Sequence, residues 1–200
     1  MKKCQIEGIN MKVGILALQG AFIEHGKKME ELGIPYKYVK LPEDLEDIDG
    51  IILPGGESTA MGKLLREFNM LDLLRKRIED GLPVFGTCSG MILLAKKLYN
   101  DLTVHLGVMD IEVKRNAYGR QLGSFNCRGH FKGIDNLVEM VFIRAPYVTS
   151  IREDVDILSK VDGNIVAVRQ NNMLAISFHP ELTDDLSVHK YFIKMIEELS

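Results

Sequence analysis

The chain is poor in cysteine. Only Cys4, Cys88 and Cys127 occur in 200 residues, with no CxxC pair and no zinc-ligand spacing, and the odd count argues against a closed disulfide framework. That usage fits a reducing cytoplasm. Charge of one sign is also lacking: the formal net charge is −3 and the Lys and Arg residues are scattered, which argues against nucleic acid as a partner. No stretch approaches the ~18 consecutive apolar residues that would span a bilayer, and MKKCQIEGIN at the N-terminus has lysines but no apolar signal core. No membrane segment or export signal is therefore expected. Internal repeats, low-complexity tracts and the G-x-x-x-x-G-K-[ST] spacing of a nucleotide phosphate loop are missing too.

What is present is ordinary globular composition, 46% hydrophobic and 26% charged, enough for one α/β domain with a covered sheet. Met11 opens the first clear strand pattern, so residues 1–10 read as an N-terminal extension and residues 11–200 as a single domain. KVGILAL, PYKYVK, GIILP and PVFGT read as short strands. AFIEHGKKMEELG, TAMGKLLREF, MLDLLRKRIEDG and SGMILLAKKL carry helical apolar spacing between and after them. Alternation of this kind predicts a mostly parallel sheet with helices on both faces. Beyond residue 100 the pattern changes to VMDIEVKR, EMVFIR, DILSKV, NIVAVRQ and MLAISF, separated by turn signals such as Asp162-Gly163-Asn164 and Asn171-Asn172. Extra, partly antiparallel strands are expected there, and DDLSVHKYFIKMIEELS predicts a closing helix.

Within this frame, Gly86-Thr87-Cys88-Ser89-Gly90 is G-x-C-x-G, the cysteine counterpart of a nucleophile elbow. A strand-to-helix turn that sharp strains the central residue and brings neighbouring backbone close, so flanking glycines have a physical purpose. A helix N-terminus also favours thiolate over thiol. A buried structural cysteine would fit the same pentapeptide. His179 and Glu181 follow an apolar strand in MLAISFHPEL; in extended chain residues i and i+2 point to one side, so the carboxylate can orient the imidazole. The alternative is a strand-terminal surface pair. His25 and His189 lie within helices, where packing or exposure accounts for each, and His105 and His130 fall in loop-like stretches. In ILPGGES the paired glycines after a strand let backbone N–H groups approach a ligand, or simply make a turn, with Ser58 as helix N-cap in either case.

With PGGES, FGTCSG and SFHPEL in this order the chain resembles the class I, triad-type glutamine amidotransferases. ALQGAFIEH, RNAYGRQ and FIRAP narrow the resemblance to the family of glutaminase subunits of pyridoxal 5′-phosphate synthase, over nearly everything from Met11 onward. The resemblance implies a flavodoxin-like fold of that superfamily, with Cys88 as nucleophile, His179 as general base and acid, and Glu181 as its orienter. It maps glutamine binding onto Gly56, Glu57, Ser58, Arg115, Ile143 and Arg144, and the oxyanion donors onto the backbone N–H groups of Gly56 and Ser89. Either arginine suits a carboxylate because its guanidinium is a planar fork of donors, although an arginine alone is more often a surface ion pair. No cofactor and no metal are implied. The implied partners are L-glutamine and, in a large hetero-oligomer, a synthase subunit that combines the released ammonia with a pentose phosphate and a triose phosphate. Many relatives have alanine where Ser89 stands, and the segment around Cys127 to His130 matches nothing in the pattern. Competing readings are a glutaminase subunit for another synthase, such as imidazole glycerol phosphate or anthranilate synthesis, a DJ-1-like thiol protein, and a catalytically silent binding subunit. DJ-1-like proteins place histidine beside the cysteine, whereas here Ser89 follows Cys88.

Overall fold

The computed structural model describes residues 11–115 and 124–199. The extension expected at residues 1–10, and residues 116–123, which include all of the RNAYGRQ motif after Arg115, lie outside them. Four strands form the centre of the main sheet: β1 (Val13–Leu16), β3 (Gly50–Leu53), β4 (Val84–Thr87) and β12 (Met173–Ile176), every residue of them buried. They are parallel, in the order β1-β3-β4-β12, with β2 (Tyr36–Val39) outside β1. Burial on both faces explains why each reads as an unbroken apolar run rather than an alternation.

Alternate residues still go to different layers. Ile15, Ile52, Phe85, Leu174 and Ile176 join the core under α1 (Phe22–Leu32) and α5 (Ser187–Leu199), with Met29, Phe192 and Ile196. Leu16, Ile51, Leu53, Val84 and Ala175 face the opposite layer, built from α2 (Ser58–Glu67), α3 (Leu71–Glu79) and α4 (Ser89–Leu94). One strand set thus nucleates two cores.

Beyond β12 the sheet turns antiparallel, as the β-rich second half predicts. It continues through β11 (Asn164–Gln170), β9 (Tyr147–Ile151) and β6 (Met109–Lys114), and β10 (Asp156–Val161) pairs with β11. The β10–β11 turn places Asp162 at φ 50° and Gly163 at φ 79°, the doubly left-handed turn that suits twisted hairpins.

Two expectations are corrected. The helical pattern over residues 89–98 stops at Leu94, and β5 (Ala95–Leu98) instead pairs in parallel with β6. The last helical carbonyls explain the stop: Leu93 C=O accepts from the Leu106 and Gly107 amides and Leu94 C=O from Val108. A segment remote in sequence thereby supplies the partners that another helical turn would have provided. His130, expected in a loop-like stretch, lies with the unplaced residues from Cys127 onward in β7 (Ser124–Phe131), which pairs with β8 (Ile134–Ile143) as a separate hairpin. Phe142 of β8 packs against Phe178, with ring centroids 5.7 Å apart, so the hairpin is anchored on the residue before His179.

Candidate active site

Four chain segments converge at the carboxyl ends of the central parallel strands: Gln19-Gly20 after β1, Gly55-Gly56 after β3, Cys88 after β4 and His179 after β12. Open α/β sheets build their sites at that edge. A cavity of about 510 Å³ lies there.

Cys88 has φ 49° and ψ −102°, a strained conformation for a residue with a side chain. Neighbouring backbone holds it, since its N–H donates to Ile176 C=O at 2.8 Å. The elbow glycines are required by space. A Cβ on Gly86 would sit 2.6 Å from the Gly90 carbonyl carbon, and one on Gly90 would overlap the Leu53 carbonyl. Both substitutions would push α4 off the sheet and carry Cys88 with it.

His179 is fixed from two sides. Its main-chain N–H donates to Val141 C=O of β8 at 2.8 Å, and its ring Nδ1 meets Glu181 Oε1 at 2.7 Å. With Nδ1–H donating to that carboxylate, Nε2 is the nitrogen left for the Cys88 thiol, the orientation a general base needs. Burial pulls the imidazole pKa down, but hydrogen bonds with Cys88 and Glu181, reinforced by the charge of both, outweigh it and raise the value to about 10. Glu181 is 4% exposed. It reaches the ring differently from the extended-chain expectation: Pro180–Leu182 forms one turn of 3-10 helix, and that turn brings the carboxylate back under His179.

The loop after β3 is tied at three points. Gly55 C=O accepts from the Ala21 N–H at 2.9 Å, Gly56 C=O accepts from the Ser89 hydroxyl, and the Glu57 N–H donates to Gln19 Oε1 at 2.8 Å. Because a trans peptide opposes its C=O and N–H, the first bond directs the Gly56 N–H away from Ala21. Gly55 itself packs so tightly that a Cβ there would overlap His179 Cε1.

The helix cap expected at Ser58 falls instead to Glu57, whose carboxylate accepts from the Thr59 and Ala60 amides at 3.0 and 2.7 Å. Ser58 is the first helical residue and is buried. Burial raises the Glu57 carboxyl pKa, yet those two amides and Arg115 overcome it and hold the value below the ordinary carboxylate range. Arg115 reaches in from the end of β6. Its guanidinium pairs with Asp101 and lies 3.5 Å from Thr59 Oγ1. Ile143 and Arg144 enter from the end of β8, Arg144 with φ 44°.

The structure therefore gathers the sequence-predicted residues around one cavity. Gly56, Glu57, Ser58, Cys88, Ser89 and His179 line it together with Arg115, Ile143 and Arg144, Arg115 lying beside Thr59; Glu181 stands behind His179. Gln19 and Gly20 also line it and were not singled out, although their place just after the first buried strand was the available signal. Thr87, His25 and His189 were missed as well. They form a buried polar group beneath Glu181, whereas the sequence leaves the two helical histidines to packing or exposure. Among the described residues no cluster of His, Cys, Asp and Glu has the arrangement of a metal site.

A strained thiol on a strand-to-helix elbow, a carboxylate-held imidazole beside it and a glycine loop facing both match the arrangement expected of a cysteine triad, on a class I glutamine amidotransferase fold. The chain belongs to the SNO glutamine amidotransferase family, whose model matches residues 15–198. It is 55% identical over 192 residues to the pyridoxal 5′-phosphate synthase subunit PdxT of Streptococcus pneumoniae strain CGSP14, covering 94% of this chain and 98% of that protein. A crystal structure of a glutamine amidotransferase superposes with TM-score 0.89 at 45% identity, over 92% of this chain and 98% of the other. PurLQS from Thermotoga maritima shares the fold alone, with TM-score 0.69 at 16% identity over 94% of this chain and 98% of that one.

Proposed function

We propose that this chain hydrolyses L-glutamine to glutamate and ammonia as the glutaminase subunit of pyridoxal 5′-phosphate synthase, and hands the ammonia to a synthase subunit. The observation that carries this reading is the placement of Cys88 and the His179–Glu181 pair at one end of the cavity, in a chain of this family. The relatives named as synthase subunits match the chain almost end to end, which supports the pathway.

Cys88 attacks as thiolate. A bond forms between its sulfur and the side-chain amide carbon of glutamine, and the oxyanion that develops is met by the backbone N–H groups of Ser89 and Gly56. Ser89 opens α4, where first-turn amides lack intrahelical acceptors. A single oxyanion donor is worth ~10²–10³ in rate. His179, protonated while Glu181 faces its Nδ1, gives its Nε2 proton to the departing nitrogen, so the C–N bond breaks to release ammonia and leave a glutamyl thioester. Water then loses a proton to His179 as it adds to the thioester carbon. The C–S bond breaks, glutamate leaves, and the thiolate–imidazolium pair is restored.

Glutamine sits with its amide toward Cys88 and its amino-acid head between Glu57, Arg115 and Arg144, with Ser58 and Ile143 completing the walls. One carboxylate and two guanidinium groups suit an ammonium and a carboxylate on the same carbon. This reading places the chain in the cytoplasm, where a nucleophilic thiol stays reduced, and in a large hetero-oligomer with the synthase.

The test is co-purification with the synthase followed by a glutaminase assay. Turnover should appear on adding the synthase and vanish in Cys88→Ala. Equal turnover by that variant would remove Cys88 from the mechanism, and failure to bind the synthase would favour another ammonia-using partner.

A further inference from the structure

Beneath Glu181 lies a buried polar group that the three-residue mechanism does not use. His25 on α1 and His189 on α5 are both wholly buried, and His25 Nδ1 lies 3.0 Å from His189 Nε2. His25 Nε2 lies 3.2 Å from Oγ1 of Thr87, the residue before the nucleophile, and 3.5 Å from Glu181 Oε2. Glu181 Oε1 is occupied by His179, whereas Oε2 is buried without a hydrogen-bond partner among the described residues. A buried carboxylate oxygen left that way is costly, so the nearest donor matters.

Only one pair of tautomers suits the geometry. A proton on His25 Nδ1 would turn its Nε2 lone pair toward the carboxylate and would give His189 a buried Nδ1–H with no acceptor. In the reverse arrangement His189 Nε2–H donates to His25 Nδ1, and His25 Nε2–H points at Thr87 Oγ1 and Glu181 Oε2. The sole orphan is then a lone pair on His189 Nδ1, the lesser penalty. Both rings stay neutral near pH 7. Burial lowers the His25 pKa well below its usual value, with the charges of His189 and His179 adding to it, and burial and Lys28 lower His189 to about 3, against a smaller opposing push from Asp185.

We propose that His25 is a positioning residue for the reaction: its Nε2–H, held in that tautomer by His189, is the donor that fixes Glu181 Oε2 and thereby the orientation of His179. The 3.5 Å contact is long, and such bonds tighten in the reacting complex. The nucleophile is reached from two directions at once, through Glu181 and His179 and through Thr87. The proposal rests on the glutaminase reading for the reaction, though not for the geometry.

His25→Asn and His25→Gln separate positioning from packing. Asn places its amide near Nδ1 and keeps a partner for His189, but stops short of Glu181; the longer Gln side chain can return an N–H near Nε2. In the complex with the synthase, and counted per alkylatable Cys88 so that only folded sites contribute, His25→Asn should lower kcat about 10- to 100-fold with KM nearly unchanged. His25→Gln should recover most of that loss. In a Glu181→Ala background, His25→Asn should cost less than about twofold more, because residues acting through one another are not additive. Equal kcat in the Asn and Gln variants, or an undiminished loss without Glu181, overturns the proposal. Should the wild-type complex fail to hydrolyse glutamine, the glutaminase reading falls separately. The pH profile of Cys88 alkylation by iodoacetamide then carries the test: the profiles of the Asn and Gln variants must differ, and coincident ones overturn it. The groups facing His25 that bear on that profile are His189, Thr87, Glu181 and His179.

Discussion

Replacing Gly55 by alanine adds one methyl group at the point where the loop after β3 meets His179. Gly55 does not have the positive φ that only glycine tolerates, so the backbone itself accepts alanine. Space does not. The new Cβ would overlap His179 Cε1, lie 2.9 Å from Nδ1 and approach Cys88 Cβ to 3.4 Å. Relieving this requires a shift of about 1 Å, either of the imidazole or of the loop. A shifted ring loses the 2.7 Å bond to Glu181, and a shifted loop loses the 2.9 Å bond from Ala21 to Gly55 C=O. A misplacement of about 1 Å costs roughly 10²-fold in rate, or about 2.7 kcal/mol of barrier. Overpacking of this kind costs about 1–3 kcal/mol of stability, at about 2–4 °C in Tm per kcal/mol for a chain of this size. The assay is glutamine turnover in the presence of the synthase, set beside thermal unfolding. A folded Gly55→Ala protein with kcat within twofold of wild type would refute this account of how base and loop are packed.

Glu181→Gln removes the charge that helps to raise His179, so the ring should titrate well below about 10, read from its nitrogen chemical shifts; an unmoved midpoint would show that Glu181 does not set it. Because a raised histidine pKa stabilises the fold in full below 6.5 and loses that contribution as pH climbs through about 10, the stability gap between wild type and Glu181→Gln should narrow from pH 7 to pH 10. Arg115→Ala should raise KM for glutamine about 10-fold or more with a smaller change in kcat, since a head-group contact acts on ground and transition states alike. A pure kcat effect would mean that Arg115 touches the reacting amide rather than the head.

The parallel half of the fold is legible because its strands are buried on both faces: GIIL and MLAI admit few other readings, and FGTCSG carries the glycines that the β4–α4 turn requires. The Asp162-Gly163 turn is legible for the same local reason. Failures occur where the decisive partner is remote. Ala95–Leu98 continues a helical pattern and becomes a strand because residues 106–108 claim the carbonyls at the helix end. Around the site, Cys88, His179 and Glu181 stand in short motifs whose spacing carries chemistry, so they can be found in one dimension. His25 and His189 lie on helices 164 residues apart and look like any other helical histidines. Only their joint burial against Glu181 distinguishes them, and burial of a polar side chain leaves no mark on local sequence. Glu57 displaced Ser58 as cap because its longer side chain reaches two amides at once, a matter of loop path rather than residue preference.

The bond from the His179 N–H to Val141 C=O ties His179 to the strand that carries Ile143 to the cavity two residues later, with Arg144 just beyond the strand's end. At about 3.3 Å of rise per residue, the interval between His179 and Ile143 is a property of main chain rather than of side-chain choice. The hairpin therefore works as a gauge clamped to His179. Side-chain replacements along its outer face leave that gauge as it is, whereas a single inserted residue between Val141 and Ile143 would recalibrate it and turn the strand's inward residues outward.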